Sequence, residues 1–419
     1  MYLHRFKPNK TQADIEAVLR FVIQSASIHV PAYREFLKQS GVAASDFRTS
    51  SDLQILPVTG KLQLFRDAPL HEQLHEGAAI ERCIRTRTSG FSGLPISIYM
   101  SKAEAFFRRA QIIASWRGTT HLPMLLRVAD LGTWVSEKSG HKILKRGPVS
   151  IVRISYALPV DLQLHLLTQH LAEERLSLNS VRLVALRGEI LFAPVRAQIE
   201  RVFECSVSDF YNCEEIGNIA SQCPDDPNVY HVNTDACVVE VVDNTGLPLS
   251  AGEEGRILLT NLYNCTMPFI RYEIGDRGTL LPPEMGDSCS CGSRRPRMKL
   301  LGGREDDYVF LPNGRRISPR LIGTAVYRAA MALQSDGTME WLFRGFQITQ
   351  DSLDHLSVRV IPEANQSADL EQIIASALRE IHPELRCTVT YVETLPLEPA
   401  GKFRKVICGI SADFNPPSS

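Results

Sequence analysis

Long hydrophobic runs are missing from this chain of 419 residues. No stretch approaches the roughly 18 apolar residues of a bilayer-spanning helix, and the first residues lack the charged-then-apolar pattern of a secretory leader. An excess of either charge is also missing. Lys and Arg number 46 against 47 Asp and Glu, a net charge of -1, which gives no electrostatic case for nucleic acid or an acidic membrane surface. The ten cysteines are too few for a disulfide scaffold in a chain this size, so the cytoplasm is the expected compartment. The Gly-x4-Gly-Lys-Ser/Thr loop of kinases and ATPases does not occur. What is present is the composition of a globular protein, 44% hydrophobic and 22% charged, in a chain too long for one ordinary core. Two domains, or one large and one small, are expected.

Apolar spacing then places the elements. Ile15, Val18, Leu19 and Val22 recur at helical intervals within 11–27, and Pro31 opens a second helical pattern that ends at Gly41. Ser101 with Glu104 forms a capping box for a helix running to about Gly118, and 161–176 reads as another helix. Val181 to Leu186 is a continuous apolar strand, 194–203 a helix with one apolar face, and Val207 to Phe210 the next strand. Such a strand–helix–strand unit is parallel and right-handed by default, and ligands gather beyond the carboxyl ends of its strands. Those ends are Gly188-Glu189 and the cluster Tyr211-Asn212-Cys213-Glu214-Glu215. Residues 238–242 and 256–260 read as paired strands. After Asp307 the pattern resets into strands at 308–311, 316–317, 356–361 and 386–392, with a helical stripe at Leu370, Ile373, Ile374, Ala377, Leu378 and Ile381. A little over a hundred residues of this kind suffices for a small α+β domain.

Four stretches carry chemistry. Thr88-Ser89-Gly90-Phe91-Ser92-Gly93-Leu94-Pro95 sets small hydroxyls between glycines, so backbone N–H groups and hydroxyls can close around a phosphate; the plainer reading is a Gly/Ser turn. Asp276 follows Gly275 after an apolar strand, a place suited to accept both hydroxyls of a ribose. Arg304, with its fixed paired donors, can reach the same sugar or its phosphate, and Asp306-Asp307 just after it reads as a joint. Pro and Gly around Lys402 shape an exposed loop. Separately, Cys223, His231 and the turn Cys289-Ser290-Cys291-Gly292 would suit a tetrahedral Cys3His zinc site, structural because protein fills every position. The alternative is two free surface thiols and a loop histidine. Cys205, Cys213, Cys237, Cys265 and Cys387 lie in apolar contexts and read as core thiols.

In this order the motifs resemble the adenylate-forming ligases, specifically the phenylacetate–coenzyme A ligase and capsule-protein-like branch, over essentially the whole chain. The resemblance implies an α/β fold: a large N-terminal nucleotide- and acyl-binding domain of mixed sheets and helices, 1–303, and a small mobile α+β C-terminal domain, 304–419. It implies that Thr88, Ser89, Gly90, Ser92 and Gly93 hold phosphate. Tyr211 packs on adenine, Gly188 and Glu189 line the acyl and nucleotide site, and Glu215 holds Mg²⁺ with the phosphates of ATP. Asp276 and Arg304 hold the nucleotide, Asp306 is the hinge, and Lys402 bridges the acyl carboxylate and the nucleotide. Asn313 to Pro319 resembles the loop that rotates in for the thioester step. Several relatives carry a Cys-rich element where Cys289 and Cys291 stand. Phe91, Leu94, Asn212 and Glu214 depart from the family's residues, which are a small hydroxyl, Lys, Gly and Thr.

The implied reaction joins a small carboxylic acid, an aryl or arylacetic acid in this branch, to ATP and then to coenzyme A. A carrier-protein pantetheine arm or an amine is the alternative acceptor, and a non-catalytic binding protein the alternative class. Neither nucleic acid nor a membrane is an expected partner. Monomer and homodimer are both open.

Overall fold

In the computed structural model, the described residues are 4–61, 64, 68–88, 96–120, 126–132, 140–146, 149–155, 183–187, 190–283, 289–304, 307–329, 331–333, 339–362, 369–396 and 403–410. The helix expected over 161–176 lies outside them. By its contacts the chain divides into two units. One comprises Met1–Leu122, Ala185–Gly188 and Ser208–Leu301; the other comprises Pro123–Val184, Glu189–Val207 and Gly302–Ser419.

Thr11 sets where the first unit's leading helix begins. Its hydroxyl accepts from the Asp14 N–H while the Asp14 carboxylate accepts from the Thr11 N–H, a reciprocal cap for the helix Gln12–His29. That helix buries the expected stripe of Ile15, Val18, Leu19 and Val22, and Pro31 starts the next one, Pro31–Gln39. The Ser101–Glu104 box is also present, at the head of the helix Lys102–Thr120. Glu104 does more than cap. Its carboxylate accepts from the N–H of Cys265 and the hydroxyl of Thr266, and it pairs with Arg5 at 3.2 Å, both side chains 1% exposed.

An eight-stranded sheet runs through this unit. From one edge its strands are Cys237–Val242, Gly255–Asn261, Tyr272–Leu280, Arg297–Arg304, Tyr230–Val232, Gly217–Gln222, Ser206–Cys213 and Leu183–Arg187. The pair expected at 238–242 and 256–260 is antiparallel, as read. The strand expected to stop at Phe210 instead continues to Cys213 and turns back through 214–216 into Gly217–Gln222. A register shift between Tyr211 and Asn212, and the left-handed φ of +85° at Gly217, make that tight return. The acidic cluster therefore occupies a hairpin turn, not a loop beyond a parallel strand.

In the second unit, a four-stranded sheet has the order Arg386–Tyr391, His355–Pro362, Phe343–Ser352, Val406–Cys408, antiparallel at its centre and parallel at both flanks. The helix Leu370–Ile381 covers the expected bounds and buries Leu370, Ile374 and Leu378. A separate three-stranded sheet is built from 126–155. The architecture is the mixed α/β class expected. Among the described residues no helix is long and apolar enough to cross a membrane.

Replacing Glu104 by Ala removes the carboxylate that pairs with the buried Arg5, at an expected cost of roughly 3–5 kcal/mol. Denaturant unfolding of Glu104→Ala measures it; a loss below about 1 kcal/mol, the size of an exposed pair, would contradict the buried-pair account.

Candidate active site

The site is organised on the strand Tyr272–Leu280, and Arg271 fixes where that strand enters. Arg271 sits at φ +44° and is 2% exposed. Its guanidinium donates to both oxygens of Glu240 at 3.2 Å and to the carbonyls of Leu56 and Gly246 at 2.6 Å each. Thr59 bonds across it, taking the Glu273 N–H on its carbonyl and giving its own N–H to the Arg271 carbonyl. Further along, the register against Gly255–Asn261 jumps: Leu258 faces Glu273, yet Arg256 faces Arg277. The extra residues are accommodated at Ile274-Gly275-Asp276, where Gly275 takes φ +85°. Asp276 thus stands on a bulge inside the strand rather than at its end, as the sequence had implied. A bulge re-aims a side chain that a regular pleat would commit to one face.

Tyr211 meets that aspartate. Its hydroxyl donates to Asp276 Oδ2 at 2.9 Å. Burial, and then the neighbouring carboxylate, push the Tyr211 hydroxyl well above the usual phenol range, so it stays a donor. A second cross-link lies beside it: Tyr272 Oη donates to Glu215 Oε1 at 3.2 Å. Burial first, then the Glu215 charge, raise the Tyr272 hydroxyl as well. The backbone of the turn is held too, with the carbonyl of Ile216 taking the Tyr263 hydroxyl at 2.7 Å. The strands that carry Tyr211 and Asp276 are four places apart in the sheet. A flat sheet would separate them by about 19 Å, at about 4.8 Å per strand. Their contact means that the sheet curls on itself and closes its two flanks around this spot. Glu214, one of the departures noted above, points elsewhere: its carboxylate accepts from Arg108 Nη2 at 2.8 Å and its carbonyl from Arg108 Nη1 at 2.9 Å.

The four metal-ligand candidates come together. One donor atom each from Cys223, His231, Cys289 and Cys291 lies within 4.8 Å of the others. Cys223 Sγ is 3.8 Å from Cys289 Sγ, and Cys291 Sγ is 3.2 Å from His231 Nε2. The turn is set by the Gly292 N–H bonding to the Cys289 carbonyl, with Gly292 at φ +81°. Of the five thiols expected in the core, Cys237, Cys265 and Cys387 are buried, whereas Cys205 and Cys213 are half-buried.

Other expected site residues fall outside the description. Ser89, Gly90, Ser92 and Gly93, with Phe91 and Leu94, lie outside the described residues, as do Gly188, Glu189, Asp306 and Lys402. Arg304 ends the strand Arg297–Arg304. Thr88 is buried at the mouth of its loop, where its hydroxyl accepts the Ile96 N–H and its own N–H bonds to the Ile96 carbonyl. Sequence reasoning assigned no role to Arg108, Tyr272 or Arg404, and did not pair Asp307 of the expected joint with Arg404. In that pair Arg404 Nε donates to Asp307 Oδ1 at 2.8 Å, next in sequence to the expected hinge and close to Lys402. Only an acid at 214, where the motif has Thr, hinted that a cation was needed nearby.

No family model matches the chain. It is similar, at 23% identity over 95% of its length and 96% of the relative's, to a phenylacetate–coenzyme A ligase of Thermus thermophilus. It is 27% identical to the phenylacetate–coenzyme A ligase of Escherichia coli over 70% of this chain and 71% of that one. Among solved structures, 2-hydroxyisobutyryl-CoA ligase in the postadenylation state with R3-HIB-AMP aligns at a TM-score of 0.73 and 18% identity, covering 97% of this chain and 91% of that one. The fold is that of the adenylate-forming coenzyme A ligases. In sequence the chain is similar to phenylacetate–coenzyme A ligases, over 70–95% of its length.

Proposed function

We propose that this protein is an AMP-forming acid–thiol ligase that joins a small carboxylic acid, of the aryl or arylacetic type, to coenzyme A through an acyl-adenylate. The observation that carries the reading is the Tyr211–Asp276 hydrogen bond, set in a chain similar over nearly its full length to ligases of this kind. What supports it is that the ring proposed for the base and the carboxylate proposed for the ribose hydroxyls are hydrogen-bonded partners, and that Tyr272, on the strand that carries Asp276, holds the buried Glu215.

In the first step a carboxylate oxygen of the acid attacks the α-phosphorus of ATP and pyrophosphate departs. Two anions must approach, and Lys402 is the cation proposed to lie between them. Thr88, Ser89, Gly90, Ser92 and Gly93 are proposed to cradle the phosphates, Arg304 to hold the nucleotide, and Gly188 and Glu189 to border the acyl group. Glu215 fits magnesium, because it is a buried hard-oxygen donor whose orientation Tyr272 fixes; the ion would offset phosphate charge. In the second step the thiol sulfur attacks the acyl carbon and AMP departs. Residues 304–419 are proposed to turn about Asp306 between the steps, a motion of the kind that can limit turnover. The compartment proposed is the cytoplasm.

The Cys3His cluster is proposed to hold one structural zinc. The donor set is right for a closed tetrahedral site, and its members already stand within 4.8 Å of one another. It would tie the turn 289–292 to the strand Tyr230–Val232.

Lys402→Ala is expected to lose acid-dependent pyrophosphate release by about 10²–10³-fold while still passing a preformed acyl-adenylate to coenzyme A. Unchanged release would reject the role of Lys402, and no release from the wild-type protein with any acid of a broad panel would reject the ligase reading. Elemental analysis of protein purified without added metal is expected to give near one zinc per chain. A value near zero in unchelated protein would remove that site.

A further inference from the structure

Two neighbouring carboxylates in one turn are a liability at a site that must receive a polyphosphate. Both would draw the same cation, and the unsatisfied one would repel the nucleotide. Glu214 and Glu215 are such a pair. The fold sends them to different partners. Arg108, from the helix Lys102–Thr120, takes Glu214 through two separate nitrogens, one on the side chain and one on the carbonyl. Tyr272 takes Glu215. Arg108 is 14% exposed and Glu214 46%, so the guanidinium is packed and the acid is drawn outward onto it. Gly217 leaves room for this grip: a Cβ there would stand 3.1 Å from Arg108 Cγ, at a φ of +85° that other residues resist.

We infer that Arg108 is a positioning residue that holds Glu214 away from the nucleotide, so that Glu215 alone is presented to the cation bound with ATP. The inference rests on the ligase reading and concerns the same site. Arg108 acts only through Glu214 and does not itself contact phosphate. An acid in place of the motif's threonine is tolerated because an arginine accompanies it.

The test is calorimetric titration of ATP, with magnesium and in EDTA, into the wild-type chain and the R108M, E214Q and R108M/E214Q variants, each checked by thermal melting. R108M is expected to weaken ATP binding roughly tenfold, the scale of one uncompensated charge a few ångströms away at a partly exposed position. The loss should be larger in EDTA, where no cation offsets the freed acid. E214Q, which leaves the Arg108 cation unpaired by Glu214, is expected to bind ATP at least as tightly as wild type, and the charge-balanced R108M/E214Q within about twofold of it. A double variant as weak as R108M would show that Arg108 meets the nucleotide directly, and R108M binding like wild type would show the pairing idle; either overturns the inference. Should R108M fail to fold, R108Q and R108Q/E214Q take the places of R108M and R108M/E214Q, with the same outcomes expected. Wild-type protein that binds no ATP with or without magnesium sinks the ligase reading itself, an outcome distinct from every pattern among the variants.

Discussion

The first unit depends on one buried charge. Arg271 is buried just ahead of the strand Tyr272–Leu280, in a left-handed backbone conformation that costs a non-glycine residue about 1–2 kcal/mol. The conformation is kept because the guanidinium has a carboxylate and two close carbonyls around it, from segments near positions 56, 240 and 246. Burial pushes the Glu240 carboxyl upward and Arg271 draws it back, so each ion is tolerable only with the other. The residue after this hub is Tyr272 and the bulge with Asp276 follows four residues later. The position of both cross-links to the hairpin is therefore set by where Arg271 is held.

Much of the fold was legible because it is local. Capping boxes at Thr11 and Ser101, the apolar stripe of 370–381 and the hairpin at 309–317 each write their geometry into a few adjacent residues. Proximity was legible where residue types are scarce: a Cys-x-Cys-Gly turn comes together with one more Cys and a His, and Tyr211 with Asp276. What stayed hidden is non-local. Nothing in the run from Tyr272 to Leu280 says that its pleat breaks at Gly275, because the break is a property of its pairing with Gly255–Asn261. Arg108 and Glu214 are 106 positions apart, and no period links them. The grouping of 123–184 with the C-terminal residues is likewise a matter of contacts that no linear motif encodes.

The second unit holds the segments that follow its two proposed site residues by different means. Just after the proposed hinge, Phe310 is stitched to the central strand by Gln350, whose side chain bonds both its N–H and its carbonyl. Just after Lys402, Gln347 takes the Arg404 carbonyl and Ile348 takes that of Lys405. Lys405 itself points among the rings of Phe192, Tyr327, Phe346 and Phe403, with its ammonium 4.6–5.7 Å from their centres. The Arg404–Asp307 pair joins the two segments directly.

The strand Tyr230–Val232 is only three residues long, and it meets Arg297–Arg304 through two residue pairs. It is the seam between two half-sheets, with Asp276 in one and Tyr211 in the other. So short a ladder has little hydrogen bonding of its own to resist shear. His231 lies on it, and the cysteines that approach His231 come from both margins of the seam. The proposed zinc would therefore clamp the join rather than either half of the sheet.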